Sequence, residues 1–181
     1  GADAYFGDLI NRIGNLTRVL HIDCARTRAK RLASSTTSAL HAWGPIGKLF
    51  KLPFTKWRPD KRHLKGPYGW LVRRSAAQEG GTGQGAMIAW QLACQESWLA
   101  SAAPKIIAWP WENHAWERAF VRTAHALGVH TIGYQHTIVG NREWNYAPDS
   151  NPDGHDSLPA QILTSGAEGA NTLKAAGIPA N

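Results

Sequence analysis

What is scarce in this chain narrows it first. Only two cysteines, Cys24 and Cys94, occur in 181 residues. They lie too far apart for a zinc or redox spacing and are too few for a disulfide scaffold, which favours a reducing compartment. Long apolar runs are missing as well. The stretch 86–90 stops at Gln91, far short of the ~20 apolar residues that a helix needs to cross a bilayer. No basic-then-apolar start marks a secretory leader. Acids are outnumbered, with 13 Asp and Glu against 20 Lys and Arg and a formal charge of +7. That excess favours an anionic partner, such as a nucleotide, nucleic acid, a phosphorylated lipid or an anionic membrane surface. A cytoplasmic protein, either free or peripheral at the inner membrane, is the expectation.

Tryptophan is abundant, with nine residues. Core filling accounts for about half of them, and rings at a carbohydrate or lipid surface would account for the rest.

Periodicity organises the chain into alternating elements. Residues 4–13 read as a helix with Phe6, Leu9, Ile10 and Ile13 on one stripe, and 17–23 as a strand. The polar stretch 26–37 is a basic helix or a loop. Residues 44–85 form an irregular basic and glycine-rich insertion. The breakers Gly44-Pro45, Pro53, Pro59 and Gly66-Pro67 leave room there only for short elements, and a helix follows at 68–78. The segment 48–74 holds nine Lys and Arg against Asp60 alone, with Phe50, Leu52, Phe54, Trp57 and Trp70 between the charges.

A helix over 86–101 puts Met87, Trp90, Cys94 and Trp98 on one face. Then come a strand at 105–109, a helix opened by Glu112 and capped by Gly128, and a strand at 129–134. Trp116, Phe120, Ala124 and Leu127 are its expected buried stripe. Residues 141–158 read as a polar loop, 161–164 as a short strand and 167–176 as a helix ending at Gly177. Strands alternating with helices predict a single α/β domain over 1–181, Rossmann-like, with a mostly parallel sheet covered by helices.

Several side chains are candidates for chemistry. Glu112 and His136 each lie just past a strand's carboxyl end, where open α/β sheets place ligands. A histidine there serves as general base or holds a sugar hydroxyl or phosphate; satisfaction by loop backbone is the bland alternative. Asp8 is a third position of this sort, with a helix N-cap as its alternative. Tyr134 and Gln135, in the loop Gly133-Tyr134-Gln135-His136, and Trp111 offer contacts to a substrate. The glycines of 80–85, Gly83 and Gly85 among them, form a flexible connector or an anion site at a helix start. They lack the strand that a dinucleotide fingerprint requires and the Gly-Lys-Ser/Thr of a P-loop.

Glu112, His114 and Glu117 do not share one helix face, so no metal site is expected, and Glu117 reads as part of a solvated helix start. The 149–156 loop lacks the closing Glu of a calcium loop and reads as surface. Lys48, Lys51, Lys56, Arg58, Lys61 and Arg62 form a solvated face or a patch for a membrane or another anion. No recognised nucleic-acid module accompanies them, so nucleic acid is not the expected partner.

The run from Ile106-Ile107-Ala108-Trp109-Pro110-Trp111-Glu112-Asn113-His114 to Gly133-Tyr134-Gln135-His136-Thr137, with Leu158-Pro159, Ile162-Leu163-Thr164-Ser165-Gly166 and Ala175-Ala176-Gly177-Ile178-Pro179, resembles bacterial surface-polysaccharide glycosyltransferases of the two-Rossmann-domain (GT-B) type. The resemblance covers about residues 104–181. It implies the N-terminal, acceptor-side half of such an enzyme, acting in lipopolysaccharide or capsule synthesis on a carbohydrate or lipid-linked acceptor. It also implies a C-terminal donor domain beyond Asn181 that would hold the nucleotide-sugar donor, with no other cofactor and with neither donor binding nor turnover expected of this half alone. Glu112 and His136, then Asp8, would supply the base, and Trp109, Trp111 and Trp116 could stack on sugars. Two other readings remain open: a non-catalytic module docking an anionic polymer or membrane, and an epimerase-like nucleotide-sugar enzyme.

Overall fold

The computed structural model describes residues 3–56, 58–80, 83–140, 142–147, 150 and 153–181. Trp57, Gly81, Thr82 and, within the expected 149–156 loop, Asp149, Asn151 and Pro152 lie outside them. The elements, in chain order, are α1 (Leu9–Arg12), β1 (Arg18–Leu20), α2 (Arg26–Leu32), β2 (Thr37–Ala39), α3 (Ile46–Leu49), α4 (Gly69–Glu79), α5 (Gly83–Ala102), β3 (Ile106–Pro110), α6 (Ala115–Ala126), β4 (His130–Gln135), β5 (Gln161–Thr164) and α7 (Ala167–Ala175). Short 3-10 turns lie at Leu40–Trp43, Leu52–Phe54, Lys61–Leu64, Trp144–Tyr146 and Gly154–Ser157. The chain is a mixed α/β protein that divides into two compact units, Gly1–Arg18 with Trp98–Asn181, and Val19–Ser97.

The first unit is built on a parallel sheet of order β3-β4-β5. Ile106 pairs with His130 and Pro110 with Tyr134, while Ile132 pairs with Gln161 and Gln135 with Thr164. β4 lies in the middle and shows a period of two: Thr131, Gly133 and Gln135 are buried, and the residues between them are partly covered. Gly133 is required by packing. A Cβ there would stand 2.8 Å from Pro159 Cγ and 2.9 Å from the Trp111 side chain. Two apolar clusters fill the unit, one around Trp111, Tyr146, Ile162 and Leu173 and the other around Leu99, Ile107, Phe120 and Val129, with Trp109 packed against both.

Local chemistry explains the boundaries. β5 and α7 form where the pattern places them, and Gly177 closes α7 at φ +78°. Gly128 follows α6 at φ +70°, a left-handed position that glycine adopts without steric cost. The expected helix over 4–13 shrinks to the single turn α1. Asp3 Oδ1 accepts the N–H groups of Tyr5 (2.9 Å) and Phe6 (3.2 Å), and Gly7 at φ +58° turns the chain, so a side-chain-stabilised turn replaces the first helical turns. The buried stripe of α6 is also rotated. It consists of Glu117, Phe120, Val121 and Ala124, whereas Leu127 is exposed and Trp116 half-buried.

In the second unit β1 pairs with β2 in a separate two-stranded sheet, so the strand expected at 17–23 forms but does not join the parallel sheet. The basic stretch becomes α2, and short elements occupy 44–68 as the breakers require. Helix α5 starts at Gly83, three residues before the predicted 86, and takes in two glycines read as connector. Trp90 anchors this unit: its indole N–H donates to His41 Nδ1 at 2.9 Å, so His41 Nε2 carries the proton given to the Ile22 carbonyl at 2.9 Å. Gly44 makes room for the Trp90 ring, which a Cβ would meet at 2.1 Å.

Candidate functional site

The register of β3 and β4 builds the site. Because Pro110 faces Tyr134, the residues two positions further on, Glu112 and His136, emerge beside one another at the carboxyl ends of adjacent parallel strands. Glu112 Oε1 lies 4.0 Å from His136 Nε2, and Oε2 lies 2.9 Å from His114 Nε2. The carboxylate therefore stands between two imidazoles. Glu112 and His114 are open to solvent, while His136 is mostly covered. Tyr5 packs edge-on against the His136 ring with centroids 4.6 Å apart, and Tyr134 and Phe6 continue this aromatic border. Among the described residues, buried His136 Nδ1 has no hydrogen-bond partner.

Glu112 does not open a helix, as the sequence had suggested. It belongs to the loop 111–114, and α6 begins at Ala115 with His114 as N-cap. What shapes this loop is Glu117. It is 1% exposed, which overturns its reading as a solvated helix start. Its carboxylate accepts from three hydrogen-bond donors: the Trp109 indole at 2.9 Å, the Glu112 N–H shared between both oxygens at 3.2 Å, and the His114 N–H at 2.6 Å. Burial pushes the Glu117 pKa above the usual carboxylate range, and the donated hydrogen bonds oppose that rise.

A second clamp comes from afar in sequence. Asn113 sits at φ +57°, a left-handed conformation that asparagine tolerates better than most residues. Its Nδ2 donates to the Asn145 carbonyl at 2.7 Å, and Asn145 Nδ2 donates in return to the Glu112 carbonyl. Ser150 Oγ also donates to the Asn145 carbonyl, at 2.9 Å. The sheet itself extends past β3 through the Trp111 N–H on the Tyr134 carbonyl at 2.9 Å. Glu112 is thus held by its backbone on both sides while its side chain is free to meet solvent.

Trp111 is 0% exposed and packs edge-on against Tyr146 at 5.6 Å, so it is core and presents no face to a sugar. Gln135 is likewise fully buried, donating to the Thr137 hydroxyl at 3.1 Å, whereas Tyr134 reaches the His136 border. Trp109 is committed to Glu117 and packs on Phe120. Asp8 does not join the cluster. It pairs with Arg12 across one exposed turn at 2.9 Å and makes no side-chain cap. Gly83 and Gly85 lie in the first turn of α5, in the other unit. Lys48, Lys51, Lys56, Arg58, Lys61 and Arg62 belong to that other unit as well, all of them exposed.

Sequence reasoning missed Tyr5, His114, Asn113, Asn145 and the role of Glu117. One signal was present: Glu117 stands three residues after His114, the spacing of an N3 acid that reaches back to the cap N–H. Among the described residues no group of three His, Cys, Asp or Glu side chains is placed to hold a metal ion, and no helix is long and apolar enough to cross a membrane.

Chemically, a solvent-facing carboxylate flanked by two imidazoles can accept a proton from a hydroxyl and pass it on. Compared with known proteins, the chain matches no family model, and no curated protein or solved structure resembles it significantly.

Proposed function

We propose that this chain is the acceptor-side, Rossmann-like domain of a GT-B glycosyltransferase, and that Glu112 with His136 takes the proton of the acceptor hydroxyl. The observation that carries the reading is the Glu112 carboxylate set between His114 and His136 at the carboxyl ends of two parallel strands. In the transfer, the acceptor oxygen bonds to the anomeric carbon as the bond to the nucleotide phosphate breaks. The hydroxyl proton passes to the Glu112–His136 pair, and the nucleotide leaves with the bonding electrons. Direct displacement with inversion requires such a base. The aromatic border of Tyr5 and Tyr134 would offer ring faces to a sugar, and a lipid-linked or polysaccharide acceptor would extend from it.

The test uses the full-length protein with a labelled nucleotide sugar and glycan acceptors. Glu112→Gln and His136→Ala should each lower kcat by about a hundredfold or more, with unchanged circular dichroism. Full activity in both variants would remove this site. Failure of the full-length protein to bind or turn over any nucleotide sugar would remove the reading as a whole.

A further inference from the structure

We propose that residues 46–56 and 58–74 form a docking face for an anionic lipid bilayer, a property independent of the sugar-transfer reading. The sequence shows cations and apolar residues interleaved here; the structure leaves most of the large apolar side chains and Lys48, Lys51, Lys56, Arg58, Lys61 and Arg62 exposed. Ile46, Phe50 and Phe54 are 73%, 75% and 80% exposed, and Leu49, Tyr68 and Trp70 are also exposed. Ile46, Leu49 and Phe50 have the i, i+3, i+4 spacing of one helical stripe on α3 and the residue after it. A core-facing stripe of that kind would be covered; this one is open to solvent.

The charges complete the pattern. Nine Lys and Arg stand against Asp60 in 48–74, and Asp60 is itself engaged, accepting the Arg62 N–H at 3.0 Å and pairing with its guanidinium at 3.4 Å. Lys48 falls within the Ile46–Phe50 segment on the other side of the helix, Lys51 follows it, and Lys56, Arg58, Lys61 and Arg62 come after Phe54. The scaffold beneath is held in place: Arg73 Nη1 donates to the Leu64 carbonyl at 2.7 Å, and Gly69 packs so closely on that carbonyl that a Cβ would stand 2.2 Å from it.

Charge and chemistry select the occupant. A second copy of the same face would bring two strongly positive surfaces together, which costs energy. A nucleic acid would use the cations and the aromatic rings but would gain nothing from Ile46 and Leu49 standing in water. A bilayer with anionic headgroups uses both: cations sit at the phosphate level while Ile, Leu, Phe and Trp side chains insert at the acyl boundary.

The experiment is flotation of the full chain with vesicles of pure phosphatidylcholine, or of phosphatidylcholine containing about one third phosphatidylglycerol. Binding to the anionic vesicles, weakened by salt, and little binding to the neutral ones is the expected result. Lys48→Glu with Lys51→Glu should weaken partitioning about twentyfold or more. Phe50→Ser with Phe54→Ser, which leaves the charge unchanged, should weaken it on the order of tenfold. All four positions are exposed, and circular dichroism checks that the variants fold. Equal binding to both vesicle types, or full binding by the Phe double variant, overturns the proposal. So does preference for an oligonucleotide over anionic vesicles, or self-association through this face.

Discussion

The indole N–H of Trp109 donates to Glu117 Oε1 at 2.9 Å, tying the end of β3 to the first turn of α6. The same carboxylate receives the N–H groups of Glu112 and His114. The loop that presents Glu112 therefore cannot shift without breaking a buried, charge-assisted set of hydrogen bonds, which is stronger in the protein interior than in water. Glu117 is a positioning residue; it meets no solvent.

Replacing Glu117 by Gln keeps the shape but turns one acceptor oxygen into a donor facing other donors. A loss of about 1–3 kcal/mol in unfolding free energy is expected, measured by urea denaturation. The raised native pKa adds a pH signature. Between the ordinary Glu range and that raised value the native state binds more protons than the unfolded chain. The Glu117 contribution to stability therefore falls as pH rises through this window. Wild type minus Glu117→Gln should shrink with rising pH; a difference that grows would mean that the N–H donors outweigh burial.

Asn145→Ala removes the donor to the Glu112 carbonyl and leaves both strands intact. The expected cost is about 1–2 kcal/mol. Amide exchange should quicken in residues 111–114, with β4 still protected. Exchange that quickens uniformly, or nowhere, would show that Asn145 does not clamp this loop.

Gly133→Ala drives a methyl into Pro159 and Trp111 at the centre of the sheet. Overpacking of this kind costs about 1–3 kcal/mol or more, seen as a lowered Tm. Gly166→Ala is the control, since nothing lies within 4 Å of its added Cβ and its φ of 174° is ordinary extended backbone. Similar losses in both variants would contradict the packing at Gly133.

The two cysteines should separate in reactivity. Cys94 is fully buried, and burial pushes its thiol up to about 11, whereas Cys24 is partly exposed. A maleimide at neutral pH should label Cys24 in the folded protein and Cys94 only after denaturation. Fast labelling of Cys94 in the native state would show that the packing around Trp90 and Cys94 opens.

Much of the first unit could be read from the chain itself. The strands at 106–110 and 161–164, α7 with Gly177, and the turn at Gly128 depend on short-range periodicity and caps that act within one turn, so local residues determine them. The meeting of Glu112 with His136 was also legible, because parallel pairing carries equivalent positions past the strand ends together. The tertiary structure decided the rest. Trp111 reads as a surface aromatic until Gly133, Tyr146 and the cluster around Ile162 and Leu173 close over it, and Glu117 reads as a solvated acid until Trp109 and the 112–114 backbone turn their donors inward. Asn113 finds Asn145 only when residues far apart in sequence are folded together. Asp3 and Gly7 overrule the helical stripe of 4–13, and β1 pairs with β2 rather than with β3. Burial and long-range partners are set by what packs around a residue, and no spacing along the chain encodes that.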